Sequence, residues 1–101
     1  MFTANYYTMI LDTIIDLQNR GFTSDFSLLG NRLFCPQTKS FFSADQFDVI
    51  EIYGFDDEHS EKEETIVYAI ECFANSIKGI LCQNNSNHQA VLVTKLHKFW
   101  K

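Results

Sequence analysis

Apolar residues recur at three- and four-residue spacing at Tyr7, Ile10, Leu11, Ile14 and Leu17, while Asp12, Asp16 and Asn19 fall on the other side. This period predicts an amphipathic helix from about Tyr7 to Arg20, with Thr8 or Asn5 able to cap its start. Gly21 supplies the left-handed residue that ends many helices, and Phe22 can fold back on the last apolar turn. The period then changes. Phe26-Ser27-Leu28-Leu29 and Arg32-Leu33-Phe34-Cys35 flank Gly30-Asn31 and read as a hairpin, which Pro36 ends. After Phe41-Phe42, Ser43-Ala44-Asp45-Gln46 has the Ser-x-x-Gln form of a capping box and predicts a single helical turn.

A strand pattern comes next, from Phe47 to Phe55. Unbroken alternation puts Phe47, Val49, Glu51, Tyr53 and Phe55 on one side, and Asp48, Ile50, Ile52 and Gly54 on the other. Beyond an acidic stretch, Thr65–Phe73 and Ile77–Gln83 read as a second hairpin around Ala74-Asn75-Ser76. With Cys72 opposite Lys78, the core face would hold Ile66, Tyr68, Ile70, Ile80 and Cys82. Thr65, Val67, Ala69, Glu71, Gly79 and Leu81 would take the other face. A one-residue slip would exchange the faces of the second strand. The last element is a helix from about Gln89 to Trp100, with Leu92, Val93, Leu96, Phe99 and Trp100 as its apolar side. Lys95, His97 and Lys98 fall in its last turns, where cations complement the helix dipole. Because the strands run together between the helices, the expected class is α+β. Its sheet would be mostly antiparallel, of about four to five strands, with the N-terminal and C-terminal helices packed on one face.

Size and charge narrow the function classes. Two cores within 101 residues would each be too small to be stable, so residues 1–101 are expected to form one domain. No apolar run approaches the length of a membrane span, and no cationic surface helix is present, so no membrane partner is expected. Met1-Phe2-Thr3-Ala4-Asn5 lacks the basic-then-apolar form of a secretory leader. The three cysteines, Cys35, Cys72 and Cys82, have no disulfide-framework spacing and read as reduced thiols in the cytoplasm. The net charge of −5 resides in the loop 56–64, which holds six acids and one base; seven acids balance seven bases elsewhere. There is no basic stripe to meet a phosphate backbone, and nucleic acid is not expected as a partner.

Four segments carry a family resemblance: RGFTSDF (residues 20–26) after an amphipathic helix, Phe47–Phe55, Val67-Tyr68-Ala69-Ile70, and Lys78-Gly79-Ile80-Leu81. Together they resemble a family of small bacterial proteins of similar length and no established function, often labelled phosphoribosylpyrophosphate synthetase. The resemblance runs from about Tyr7 to Leu96. The chain departs from the family pattern at Gly54, where a basic residue commonly comes after the strand tyrosine. It departs again at Asn84-Asn85-Ser86-Asn87-His88, where a Tyr-Gly-rich stretch is usual. The synthetase label does not fit the residues: the segment after Asp56-Asp57 is acidic and glycine-free, unlike a loop that cradles phosphate.

Candidate chemistry is correspondingly thin. Asp56, Asp57, Glu58 and Glu61 could approach a divalent cation, but the sixth position of such a loop is Glu61 where a calcium loop needs glycine. His59, His88 and His97 show no metal-ligand spacing, and no metal or other cofactor is expected. Cys35, near Arg32 and Lys39, reads as a half-buried strand cysteine rather than a nucleophile. The most distinctive set is Glu51, Tyr53, Phe55, Val67, Glu71 and Leu81, which the expected parity gathers on the sheet face turned away from the helices. An apolar face of that kind is either a site for a protein partner or a second copy, or it is covered from within. The expected function is a protein-interaction or regulatory module without catalysis. The alternative is a small-molecule or metal-binding module, or a small enzyme that uses strand carboxylates and Tyr53.

Overall fold

A computed structural model describes residues 2–56 and 64–84. Helix α1 (Phe2–Asn19) is followed by seven strands: β1 (Ser24–Asp25), β2 (Ser27–Leu29), β3 (Arg32–Cys35), β4 (Ser40–Phe42), β5 (Phe47–Asp56), β6 (Glu64–Cys72) and β7 (Lys78–Asn84). They form a four-stranded sheet in the order β1-β7-β6-β5 and a three-stranded sheet in the order β2-β3-β4. All pairings are antiparallel except the short β1–β7 pair. The class is therefore α+β, as the residue pattern implies, but the strands divide between two sheets where one was expected. The expected C-terminal helix, Gln89 to Trp100, lies outside the described residues.

The layering is dictated by β6. Ile66 to Ile70 are five consecutive apolar residues, and Val67 through Ile70 are each 0% exposed. Alternate side chains of a strand point to opposite faces, so a run buried throughout must be covered on both sides. On one side Val67, Ala69 and Ile80 pack with Leu17 of α1 and with Phe22. On the other, Ile66, Tyr68, Ile70 and Leu81 pack with Phe26, Leu33, Cys35 and Phe42 of the three-stranded layer. The order of layers is helix, large sheet, small sheet.

The end of α1 matches its sequence. Gly21 takes φ +104°; its N–H bonds the Gln18 carbonyl at 3.1 Å, and the Phe22 N–H bonds the Leu17 carbonyl at 3.0 Å. These two bonds make the Schellman closure, and Phe22 and Leu17 share the helix-side core, as such closures require. The capping box also forms, with the Ser43 N–H donating to Gln46 Oε1 at 2.8 Å. In the first hairpin, Leu29 pairs with Arg32 across Gly30-Asn31, and Gly30 takes φ +61°.

Two details of register depart from expectation. Glu71, not Cys72, pairs with Lys78, so β7 is shifted by one residue. The turn is the cause: Asn75 and Ser76 both take positive φ, and the Cys72 N–H closes on the Ile77 carbonyl at 2.7 Å, leaving a loop of one residue fewer. The shift exchanges the faces of β7, so Leu81 enters the small-sheet core and Ile80 the helix side. The second departure is a β-bulge between Val49 and Glu51. It places Phe47 and Val49 against the small sheet and Glu51, Tyr53 and Phe55 toward α1, where an unbroken strand keeps all five together.

Between the layers the chain must pass the sheet edge, and Gly79 admits it. A Cβ on Gly79 would stand 2.3 Å from the Ser24 carbonyl oxygen and 2.6 Å from the Phe26 ring, whereas one on Gly54 meets nothing within 4 Å. Gly79→Ala is expected to destabilise the fold by about 1–3 kcal/mol, the usual cost of overpacking. Gly54→Ala should stay within about 0.5 kcal/mol. Denaturant midpoints of the two variants check the difference; equal midpoints would contradict the close approach.

Candidate functional site

The β5 bulge turns Glu51 over the C-terminal end of α1. Arg20, one residue beyond the helix, donates from Nη1 to Glu51 Oε1 at 3.0 Å and from Nη2 to Glu51 Oε2. The same guanidinium reaches Asp16 at 3.4 Å, and the Tyr53 hydroxyl donates to Glu51 Oε1. A forked pair of this kind fixes geometry as well as charge. The hydrogen bonds from Arg20, and then from Tyr53, hold the Glu51 carboxyl below the usual carboxylate range. The bond to Glu51 holds the Tyr53 phenol above its ordinary value. Arg20 offsets the charge of Glu51, and both Glu51 oxygens accept hydrogen bonds.

The six residues singled out by parity separate under this geometry. Glu51, Tyr53, Phe55, Val67 and Glu71 do share a face, but it is the face toward α1, opposite to the expected side. Val67 is 0% exposed there, and Tyr53 and Phe55 pack against the same cluster. Glu71 is half-buried beside Lys78 across the ladder, and the Lys78 ammonium stands 5.5 Å from the Phe22 ring centroid. Leu81 lies on the opposite face, buried in the small-sheet core. The helix covers the apolar surface that an isolated sheet would have exposed.

Asp25 also acquires a partner. Its N–H donates to Gln37 Oε1 at 3.1 Å, and Gln37 Nε2 donates to the Asp25 carboxylate at 2.8 Å. The Gln37 amide thus holds Asp25 at both its backbone N–H and its carboxylate. Cys35 Sγ lies 3.5 Å from the same Gln37 oxygen. Cys35 and Cys72 are buried, Cys82 is exposed, and all three are free thiols. Burial, with Cys35 nearby, pushes the Cys72 thiol up to about 12. Among the described residues no group of three or more His, Cys, Asp or Glu is placed to hold a metal ion. His59, His88 and His97, and the acidic positions 57–63, lie outside the described residues.

The side chains left facing outward on the small sheet were not anticipated. Leu28, Leu33, Cys35 and Phe42 turn inward, so Leu29, Arg32, Phe34 and Phe41 share the outer face. Phe34 and Phe41 are cross-strand partners with ring centroids 4.8 Å apart. The Arg32 guanidinium lies 4.4 Å from the Phe41 centroid. Leu29 and Phe41 remain 48% and 41% exposed. The signal in the sequence was the alternation of Arg32-Leu33-Phe34-Cys35 against Phe41-Phe42, which puts an aromatic residue on both faces of a thin sheet.

No family model, curated protein or solved structure matches the chain. The class it belongs to is therefore defined by its architecture: one N-terminal helix and seven strands in two mostly antiparallel sheets among the described residues. No helix among those residues is long and apolar enough to cross a membrane.

Glu51 yields a pH prediction. Its folded pKa lies below the unfolded one, so the stability it contributes is present above the ordinary carboxylate value and is lost as pH falls through the depressed folded value. Tyr53 has the opposite sense, its contribution being lost as pH rises through its raised folded value. Glu51→Gln should therefore be less stable than the native protein near neutrality, with the gap closing as pH falls below about 4. Denaturant unfolding across that range measures it; a gap that persists unchanged at pH 3 would contradict the linkage. The thiols give a second check. In the folded protein Cys82 should react with a disulfide reagent well before Cys35 and Cys72, which become reactive on unfolding.

Proposed function

We propose that this protein is a protein-interaction module without catalysis, and that it engages its partner through the outer face of the three-stranded sheet. The observation that carries this reading is the contiguous set Leu29, Arg32, Phe34 and Phe41, with the arginine stacked on the exposed Phe41 ring, which in turn meets half-buried Phe34. Arginine and aromatic side chains are enriched at the energetic centres of protein interfaces: the rings bury large areas at small rotamer cost, and the planar guanidinium stacks on them while offering a fork of donors. The partner suited to it presents an apolar patch flanked by a carboxylate, which Arg32 can receive without leaving the Phe41 ring.

The competing reading, a ligand-binding module or small enzyme using strand carboxylates and Tyr53, is less well supported. Glu51 already accepts hydrogen bonds from Arg20 and Tyr53, and service as a general base would require it to give up part of that bonding. Residence in the cytoplasm, with three free thiols, belongs to the same proposal. So does membership of the small bacterial family that RGFTSDF and the two strand motifs resemble, a family without established function.

Capture from native lysate on immobilised protein tests the reading, with Phe41→Ala and Arg32→Ala run beside the native chain. Both positions are on the outer face, so the variants should stay folded, with Phe41→Ala losing only about 1 kcal/mol of stability with its ring pair. A genuine partner should bind each variant at least about tenfold more weakly. A partner held equally well by native protein and both variants would move the interface elsewhere.

A further inference from the structure

The outer face of the small sheet has a counterpart elsewhere on the same chain. Along α1, Tyr7, Leu11 and Ile15 are 55%, 56% and 45% exposed, and their spacing of four residues aligns them in one apolar stripe. Asp12, itself exposed, stands one helical turn from Ile15 at the outer margin of the stripe. The helix carries Asp12 and Asp16 and no basic residue. Residues 27–42, which form the three-stranded layer, carry Arg32 and Lys39 and no acidic one. One surface is apolar with an acidic border, and the other is apolar with a basic border.

We infer that the partner of the small-sheet face is a second copy of this chain, which presents the outer stripe of its α1. The inference rests on the interface proposed above and names its occupant. A neighbour's stripe supplies what that face requires. It brings aliphatic and aromatic side chains to Leu29 and Phe41, and the Asp12 carboxylate to Arg32 above its ring. Complementary charge also disfavours helix on helix and sheet on sheet, which would set acid against acid or base against base. The layer order gives the assembly its form. With the large sheet between α1 and the small sheet, the two surfaces lie on opposite sides of the molecule. Each copy therefore engages one neighbour through its helix and another through its small sheet. A contact between two different surfaces does not complete itself in a pair; it continues into a chain or a ring. A stable interface takes about 20–30 residues from each side, and this one is built around far fewer, so assembly is weak and grows with concentration.

Sedimentation of the full chain from micromolar to near-millimolar concentration tests this. The average mass should climb past that of two chains, and added salt should reverse the climb, as screening of exposed charges requires. Leu11→Asp spoils only the helix surface and Phe41→Asp only the sheet surface, so each alone should stay monomeric. Their equimolar mixture keeps one matched pair of surfaces and should reach two chains and stop. Should Phe41→Asp disturb the fold, Arg32→Asp takes its place in the mixture. Asp12→Arg and Arg32→Asp leave the apolar side chains in place; each should associate about tenfold more weakly, and the double variant should recover. A native chain monomeric throughout, a mass that halts at two, or assembly that survives Leu11→Asp would overturn the inference. A monomeric native chain whose lysate partner is still lost in Phe41→Ala would leave the proposed interface standing and remove only this occupant.

Discussion

The fold depends on one constraint, the burial of five consecutive apolar side chains in β6. A strand with one wet face is satisfied by a single covering layer; Ile66 to Ile70 are not. Fully burying one aliphatic side chain contributes about 1.5–3 kcal/mol, and a small domain is stable by only about 5–15 kcal/mol. Uncovering Val67 and Ile80 on the helix side, or Ile66, Ile70 and Leu81 on the other, would remove a large part of that margin. Both layers are therefore structural necessities. The apolar sheet face that invites a partner in a one-sheet arrangement is the inner wall of a layered core.

The irregularities of the chain serve the same constraint. The bulge between Val49 and Glu51 lets β5 give Phe47 and Val49 to one core, then Tyr53 and Phe55 to the other. Without it, Glu51 would be carried with Phe47 and Val49 into the apolar small-sheet side. Burying a carboxylate there without a partner would cost several kcal/mol. With it, Glu51 reaches the layer edge, where Arg20 and Tyr53 complete its hydrogen bonds. The glutamate, tyrosine and arginine resemble a catalytic trio in composition, yet their arrangement closes on itself and locks the end of α1 to β5.

Local features were legible in the sequence because their causes are local. The Gly21 helix stop, the Ser43–Gln46 box and the Gly30-Asn31 turn of the first hairpin rest on residues within a few positions of one another. What escaped were odd-number effects and layer assignment. A bulge has no composition of its own; its trace is that Phe47, Val49 and Ile52 share a face only if one residue is skipped. The β7 register turned on whether the Ala74–Ser76 turn closes at Ile77 or at Lys78, and two consecutive left-handed residues decide that. The second layer did have a visible sign, the unbroken run Ile66-Val67-Tyr68-Ala69-Ile70, which no half-exposed strand would carry. The outer patch of Arg32, Phe34 and Phe41 stays hidden wherever the small hairpin is counted as part of the main sheet.

The stretch RGFTSDF gathers these effects in seven residues. Arg20 locks the helix end to Glu51, and Gly21 turns the chain. Phe22 enters the helix-side core, whereas Phe26, four residues later, enters the core on the opposite face of the sheet. Between them Ser24 and Asp25 pass the sheet edge as the parallel strand β1, against Gly79 and Ile80. Gln37 completes the hydrogen bonding of Asp25. A helix stop alone would need only the glycine and the first phenylalanine. The remaining residues are accounted for by the crossing, which requires an apolar anchor on each side and a strand thin enough to pass Gly79. The segment most suggestive of an active site is thus the joint that carries the chain from one layer to the other.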